Sequence, residues 1–262
     1  MISLERREGR PLRIGHRGAA ALAPENTLRS FRAAVEAGVD LIEFDVFELE
    51  HGELVLAHSD DLHEVSHGAA RGSMRGQTLA ALRETAPELP TLDDALDFFV
   101  DEAPDVGVHV DLKSPRAVEG TLAALRRRGL LERTFVSSFH VRALRRLAQL
   151  EPRVRTGVAF PRDRIGIAGR RGSEPMIALG LRVLRPIVPA FVATLLSRSG
   201  ASALVLHHLL VSTRTVRRAH ELGVPVVAWT VQTPRDLERL DAAGVDAIVV
   251  DNPAIFATTL QP

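Results

Sequence analysis

Two hydrophobic periods alternate along the chain. Short β-branched runs, "LRIGH", "DLIEFDV", "VGVHVDL", "RTFVSSF", "RVRTGVAF", "ASALVLHH", "VPVVAW" and "VDAIVVD", carry the Val, Ile and Phe density of buried strands. Between them, apolar residues recur at three- and four-residue spacing. That spacing predicts helices over Asn26–Ala37, Arg116–Arg128, Val141–Gln149, Ser212–Leu222 and Pro234–Ala243. Asn26 or Thr27 is placed to cap the first helix and Gly38 to stop it, while Gly223 and Gly244 end two others just before a strand.

Eight strands with a helix after nearly every one imply parallel pairing through helical crossovers. Eight such units in 262 residues have the size of a (β/α)₈ TIM barrel. The rival is a doubly wound open sheet, but "GHRGAAALAPE" lacks the G-x-G-x-x-G spacing that opens one. One insertion interrupts the alternation. "FELEHGELVLAHSDDL" reads as a small β-hairpin after the second strand, with Glu50-His51-Gly52 at its turn and an added strand over Glu53–His58. Leu62–Thr91 then reads as a surface loop with a short helix. No repeat or interdomain linker appears, so residues 1–262 are expected to form one domain.

In such a barrel the functional groups stand at the C-terminal ends of the strands. The first strand delivers His16 and Arg17 there. The second delivers Glu43 and Asp45, two apart and therefore on one side of the strand. The added strand brings His58, and the third barrel strand brings Asp111 and Lys113, again two apart. Ser138 and His140, His207 and His208, Trp229 and Asp251 end the fourth, sixth, seventh and eighth. Charged groups inside a barrel need partners or a ligand. Glu43, Asp45 and Asp111 make an all-oxygen cage suited to a hard divalent cation, Mg²⁺ or Ca²⁺. Arg17 and Lys113 beside that cage suit the oxygens of a phosphate. His16 and His58 add an acid and a base that titrate near neutral pH. Together these groups describe metal-assisted phosphoryl transfer. Taken singly they also fit blander roles: Glu43 and Asp45 as ion-pair partners of Arg17 and Lys113, His140, His207 and His208 as hydrogen-bonded lining, Trp229 as barrel packing.

Composition narrows the chemistry further. Lys plus Arg equals Asp plus Glu at 33 each, so bulk charge gives no reason to expect nucleic acid. There is no cysteine, which excludes a thiolate nucleophile and any Cys-ligated metal. The opening "MISLERREGRPL" lacks the apolar core of a secretory signal, and a cytoplasmic protein is expected. The longest apolar stretch, Met176–Leu196, carries Arg182, Arg185, Pro186 and Pro189 near its middle, which argues against a membrane span. It reads as an apolar helix on the core, or else as an interfacial segment that meets membrane or lysolipid. Oligomeric state is not legible.

On "HRG" (His16–Gly18), "PENT" (Pro24–Thr27), "AGVDLIEFDV" (Ala37–Val46) and "LVLAH" (Leu54–His58), the chain resembles the glycerophosphodiester phosphodiesterase family. Weaker echoes in "VDLK", "SSF", "WTV" and "GVDAIVVDNP" extend the likeness over Arg13–Pro253. The resemblance implies a TIM barrel that uses a divalent metal to hydrolyse small-molecule glycerophosphodiesters to glycerol 3-phosphate and an alcohol. It implies His16 and His58 as the acid/base pair, Glu43, Asp45 and Asp111 as metal ligands, and Arg17 and Lys113 on the phosphate. Trp229 would line the glycerol side, and Glu25 would brace metal ligands or solvent. Two departures stand out: Asp111 replaces the family's usual Glu, and Ser59 follows His58 where the family usually has Asp. Lysophospholipase-D or sphingomyelinase-D-like action, a non-catalytic phospholipid-binding barrel and a metal-dependent aldolase are the competing readings.

Overall fold

The computed structural model describes residues 1–162, 172 and 174–259. In chain order these form β1 (Leu12–Gly15), α1 (Leu28–Glu36), β2 (Leu41–Glu48), β3 (Leu54–Leu56), α2 (Leu62–Val65), α3 (Leu79–Thr85), α4 (Leu92–Asp101), β4 (Gly107–Leu112), α5 (Ala117–Arg127), β5 (Thr134–Ser138), α6 (Val141–Leu150) and β6 (Arg155–Phe160). There follow α7 (Glu174–Leu184), α8 (Val188–Ser199), β7 (Ala203–His207), α9 (Thr213–Glu221), β8 (Val226–Val231), α10 (Pro234–Ala242), β9 (Ala247–Val250) and α11 (Ala254–Thr259). Eight strands run parallel in the order β1-β9-β8-β7-β6-β5-β4-β2. The ring closes because β1 also pairs with β2, Ile14 lying opposite Leu41 on one side and Val249 on the other. This is the expected (β/α)₈ barrel. β3 pairs antiparallel to β2 outside the ring, so the hairpin insertion is also present.

Alternation along each strand separates two cores. Residues such as Leu12, Ile14, Leu41, Phe135, Val205, Val227 and Val249 fill the barrel, and Leu4 packs with them from below. Gly157 makes room there, since a Cβ at that position would lie 2.5 Å from the Phe135 ring. Ile42, Phe44 and Val46 face the other way, against Phe31, Phe98 and Phe99 of the surrounding helices. The inward positions near the C-terminal ends of the strands are left to polar side chains.

Three elements differ from expectation. The first helix starts at Leu28, because Thr27 takes the capping role, its side chain accepting from the Ser30 amide. Leu62–Thr91 contains two short helices, α2 and α3. They lead into α4, which the sequence reading omits although Thr91 and Asp94 form a capping box. The apolar run Met176–Leu196 is two helices bent by 89°. Pro186 lies between them, and proline cannot extend the ladder of the helix before it.

Candidate active site

Of the residues singled out in the sequence, His16, Arg17, Glu43, Asp45, His58, Asp111, Lys113, His140 and Trp229 line one cavity of about 500 Å³ at the C-terminal end of the barrel, while Glu25, Ser138, His207, His208 and Asp251 are not among its lining residues. Glu43 and Asp45 point inward because β2 alternates, and the β2–β4 register sets Asp45 directly opposite Asp111. One oxygen from each of Glu43, Asp45 and Asp111 lies within 4.8 Å of the others, and all three side chains are buried. Lys113 Nζ sits 2.6 Å from Asp45 Oδ1 and 2.5 Å from Asp111 Oδ2. Arg17 reaches Asp45 Oδ2 with Nε at 3.0 Å and Glu25 Oε1 with Nη1 at 2.7 Å.

The electrostatics are lopsided. Burial, and then the charge of Asp45, push Glu43 up to about 7. Burial alone would raise Asp45 too, but Lys113 and Arg17 outweigh it and hold that carboxylate well below the ordinary range. Asp45 Oδ1, although close to the Lys113 ammonium, receives no hydrogen bond of acceptable angle. Three buried carboxylates, one of them reluctant to ionise, form a donor set that fits a hard divalent cation.

The two candidate proton carriers are held differently. His16 Nδ1 lies 2.6 Å from Asp251 Oδ1 at the end of β9, and its Nε2 lies 3.9 Å from Glu43 Oε2. Burial opposes protonation of His16, but Glu43 and the Asp251 hydrogen bond prevail, so its pKa is raised. His58 stands just beyond β3, with Nδ1 3.6 Å from Glu64 Oε2, and is more open to solvent. Glu64 also accepts from the His58 amide at 3.0 Å and from Ser59 Oγ at 2.8 Å.

Against known proteins, the model of the glycerophosphoryl diester phosphodiesterase family matches residues 16–255, from the first site histidine to the start of α11. The chain belongs to this family. It is 27% identical over 256 residues to the glycerophosphodiester phosphodiesterase of Caldanaerobacter subterraneus, covering 92% of this chain and 93% of the relative. It is 31% identical over 278 residues to "Probable glycerophosphodiester phosphodiesterase 1" of Mycobacterium tuberculosis, covering 94% and 90%. Among solved structures, a Silicibacter pomeroyi protein assigned as a glycerophosphoryl diester phosphodiesterase superposes with a TM-score of 0.79 at 26% identity, covering 98% and 95% of the two chains. An Oleispira antarctica phosphodiesterase, solved with the product sn-glycerol-3-phosphate, shares the fold with a TM-score of 0.73 at 21% identity over 95% and 96% of the chains.

With the family established, the supporting residues that sequence reasoning missed come into focus. Asn26 of the family's PENT stretch does not cap α1; its Nδ2 donates to Asp45 Oδ2 at 3.0 Å, and its Oδ1 accepts from the Asp45 amide at 3.1 Å. Glu25, expected at the metal ligands or solvent, instead holds Arg17. The HRG turn is tight: Arg17 has φ 48, and a side chain on Gly18 (φ 85) would run into Ser30. Asp251 was visible only as the polar end of a strand. Glu64 gave no sequence signal, because it lies in an irregular insertion. On the far wall, Trp229 meets Phe139 edge-on at 5.6 Å and His207 at 5.2 Å. Its indole Nε1 is buried with no hydrogen-bond partner.

Proposed function

We propose that the chain hydrolyses glycerophosphodiesters to glycerol 3-phosphate and the free alcohol, in the cavity that joins His16, His58 and the Glu43–Asp45–Asp111 trio. The convergence of three buried carboxylates, two cations and two imidazoles on one cavity, in a member of this family, carries the reading. Mg²⁺ or Ca²⁺ held by Glu43, Asp45 and Asp111 supplies, when bound, positive charge opposite the phosphate. Arg17 and Lys113 engage the non-bridging oxygens, where negative charge grows as the phosphorus–oxygen bond breaks. Asp45, Glu25 and Asp111 hold those two cations in place beforehand. One imidazole takes the proton of the attacking oxygen, and the other gives a proton to the departing alkoxide. Asp251 fixes the His16 ring so that Nε2 faces the carboxylates, and Glu64 steadies His58. Trp229 and Phe139 form the apolar wall against the glycerol carbons.

The test is hydrolysis of glycerophosphocholine with Mg²⁺, Ca²⁺ or Mn²⁺, with and without chelator, alongside His16→Ala and His58→Ala. Metal-dependent release of choline that each substitution abolishes supports the reading. No turnover with any of the three ions overturns it, and so do variants that keep most of the activity. A second reading, lysophospholipase-D-like cleavage by the same groups, is favoured by the exposed apolar surface on α7 and α8. Relative rates on glycerophosphocholine and lysophosphatidylcholine separate the two.

A further inference from the structure

Among the described residues, ten large apolar side chains are exposed, and six of them fall between positions 176 and 191. Met176, Leu179 and Val183 form one stripe along α7, at 60%, 64% and 63% exposure, opposite the buried Leu181. Leu184, Ile187 and Phe191 carry the patch around the bend onto α8. An apolar helix ordinarily buries its apolar faces; α7 buries one and leaves another open.

The charge around this patch is predominantly positive. Glu174–Ser199 contains Arg182, Arg185 and Arg198 against one carboxylate, Glu174 at the start of α7. Arg182 is exposed beside the stripe. Pro189 and Ala190, which precede Phe191, line a groove of about 300 Å³ with Arg214, Arg217, Arg218 and Glu221 of α9, where Glu221 pairs with Arg218 and leaves Arg214 and Arg217 in excess. An open apolar face bordered by arginines is the make-up of a segment that lies in a lipid–water interface. No single helix among the described residues is long and apolar enough to cross a membrane; α7 and α8 reach that length only together, and they are bent by 89° against each other. A second copy of the chain suits the patch less well, because an isologous contact brings together two surfaces of the same net positive charge.

Location gives the surface a use. α7 and α8 sit in the β6–β7 connection, and the start of that connection, Pro161 and Arg162, lines the active cavity. Ile177 and Leu181 pack into the same cluster as Leu210, in the turn that follows the C-terminal end of β7. The patch is therefore on the rim of the barrel mouth. We infer that the α7–α8 surface docks onto anionic lipid bilayers and turns the mouth toward the headgroup layer. This goes beyond the hydrolytic reading, and it stands or falls separately from it.

Sedimentation with vesicles tests it directly. Wild-type protein is expected to pellet with mixed phosphatidylglycerol–phosphatidylcholine vesicles, weakly with pure phosphatidylcholine, and less as salt is raised. Leu179→Asp/Val183→Asp removes apolar contact and adds like charge, and it is expected to weaken vesicle binding by about tenfold or more. Arg182→Glu/Arg214→Glu is expected to abolish the preference for the anionic lipid. Because these side chains are exposed, both variants are expected to keep wild-type circular dichroism and wild-type turnover of soluble glycerophosphocholine. No vesicle binding by the wild type overturns the inference, as does binding that neither variant changes. So does a dimer in light scattering that Leu179→Asp/Val183→Asp dissolves, which assigns the patch to self-association.

Discussion

Ser137 donates a 2.6 Å hydrogen bond to Asp111 Oδ1 from beneath the carboxylate trio. A serine hydroxyl has one proton, so its other contact, His109 Nε2 at 3.0 Å, has to be a donor. Burial pushes His109 down to about 3, and the ring is neutral with its proton on Nε2. The pair ties one oxygen of Asp111 and leaves Oδ2 to face Lys113. On the proposed reading, this fixed orientation of Asp111 serves the metal site.

Ser137→Ala is therefore expected to leave the barrel folded while lowering metal affinity roughly 10–100-fold. Isothermal titration with Mg²⁺, Ca²⁺ and Mn²⁺ reads this out without any turnover. Affinity equal to wild type removes Ser137 from the support of the site.

Asp251→Asn keeps the shape of the partner of His16 but not its charge. It is expected to lower kcat by roughly 10²-fold or more and to move the His16 titration toward lower pH, because a carboxylate that raises that pKa is gone. NMR titration of the His16 ring and a kcat profile against pH check the two effects separately.

With Glu43 as a metal ligand, as proposed, metal binding is expected to depend on pH. In the free protein its pKa stands at about 7, so over the range below that it holds a proton that a metal ligand has to lose. Affinity is expected to rise about tenfold per pH unit up to neutrality and then level off, with proton release below neutrality seen in buffers of different ionisation enthalpy. The sign for folding is consistent with this. A carboxyl with a raised pKa stabilises the metal-free protein fully below its ordinary value, and that contribution is lost as pH rises through about 7. Added metal should therefore raise Tm more at about pH 8 than at about pH 5.5. An equal gain at both contradicts the assignment.

Asn26 combines a left-handed backbone, φ 56, with two hydrogen bonds to Asp45. Asn26→Ala loses both advantages and is expected to cost about 2–4 kcal/mol in urea denaturation. Asn26→Gly keeps the backbone conformation and is expected to recover about 1 kcal/mol of that. If the two variants are equally stable, backbone strain plays no part.

Period-2 alternation was enough to read the inward aim of Glu43, Asp45 and Asp111, because a barrel strand has only two faces and the other is taken by Ile42, Phe44 and Val46. The barrel followed from counting strands. Side chains that act through another side chain were not legible in the same way. Asn26 and Thr27 are both good caps by type, and only the left-handed turn at Asn26 decides between them. Glu64 reaches His58 because α2 folds back after an irregular turn, a path that no periodicity encodes. Pro186 counted in the sequence only against a membrane span, and the 89° bend after α7 depends on what Leu181 and Val188 pack against.

The seam of the ring runs between β1 and β9, where the beginning of the barrel meets its last strand. His16 stands on one side of that seam and Asp251 on the other, 2.6 Å apart. During synthesis the remaining site groups, from Arg17 to Trp229, are all made before the strand that positions His16. A nascent barrel thus carries nearly the whole site while its imidazole is still free to turn. The His16–Asp251 contact therefore forms only when the final strand is seated, so this one hydrogen bond reports that the ring has closed.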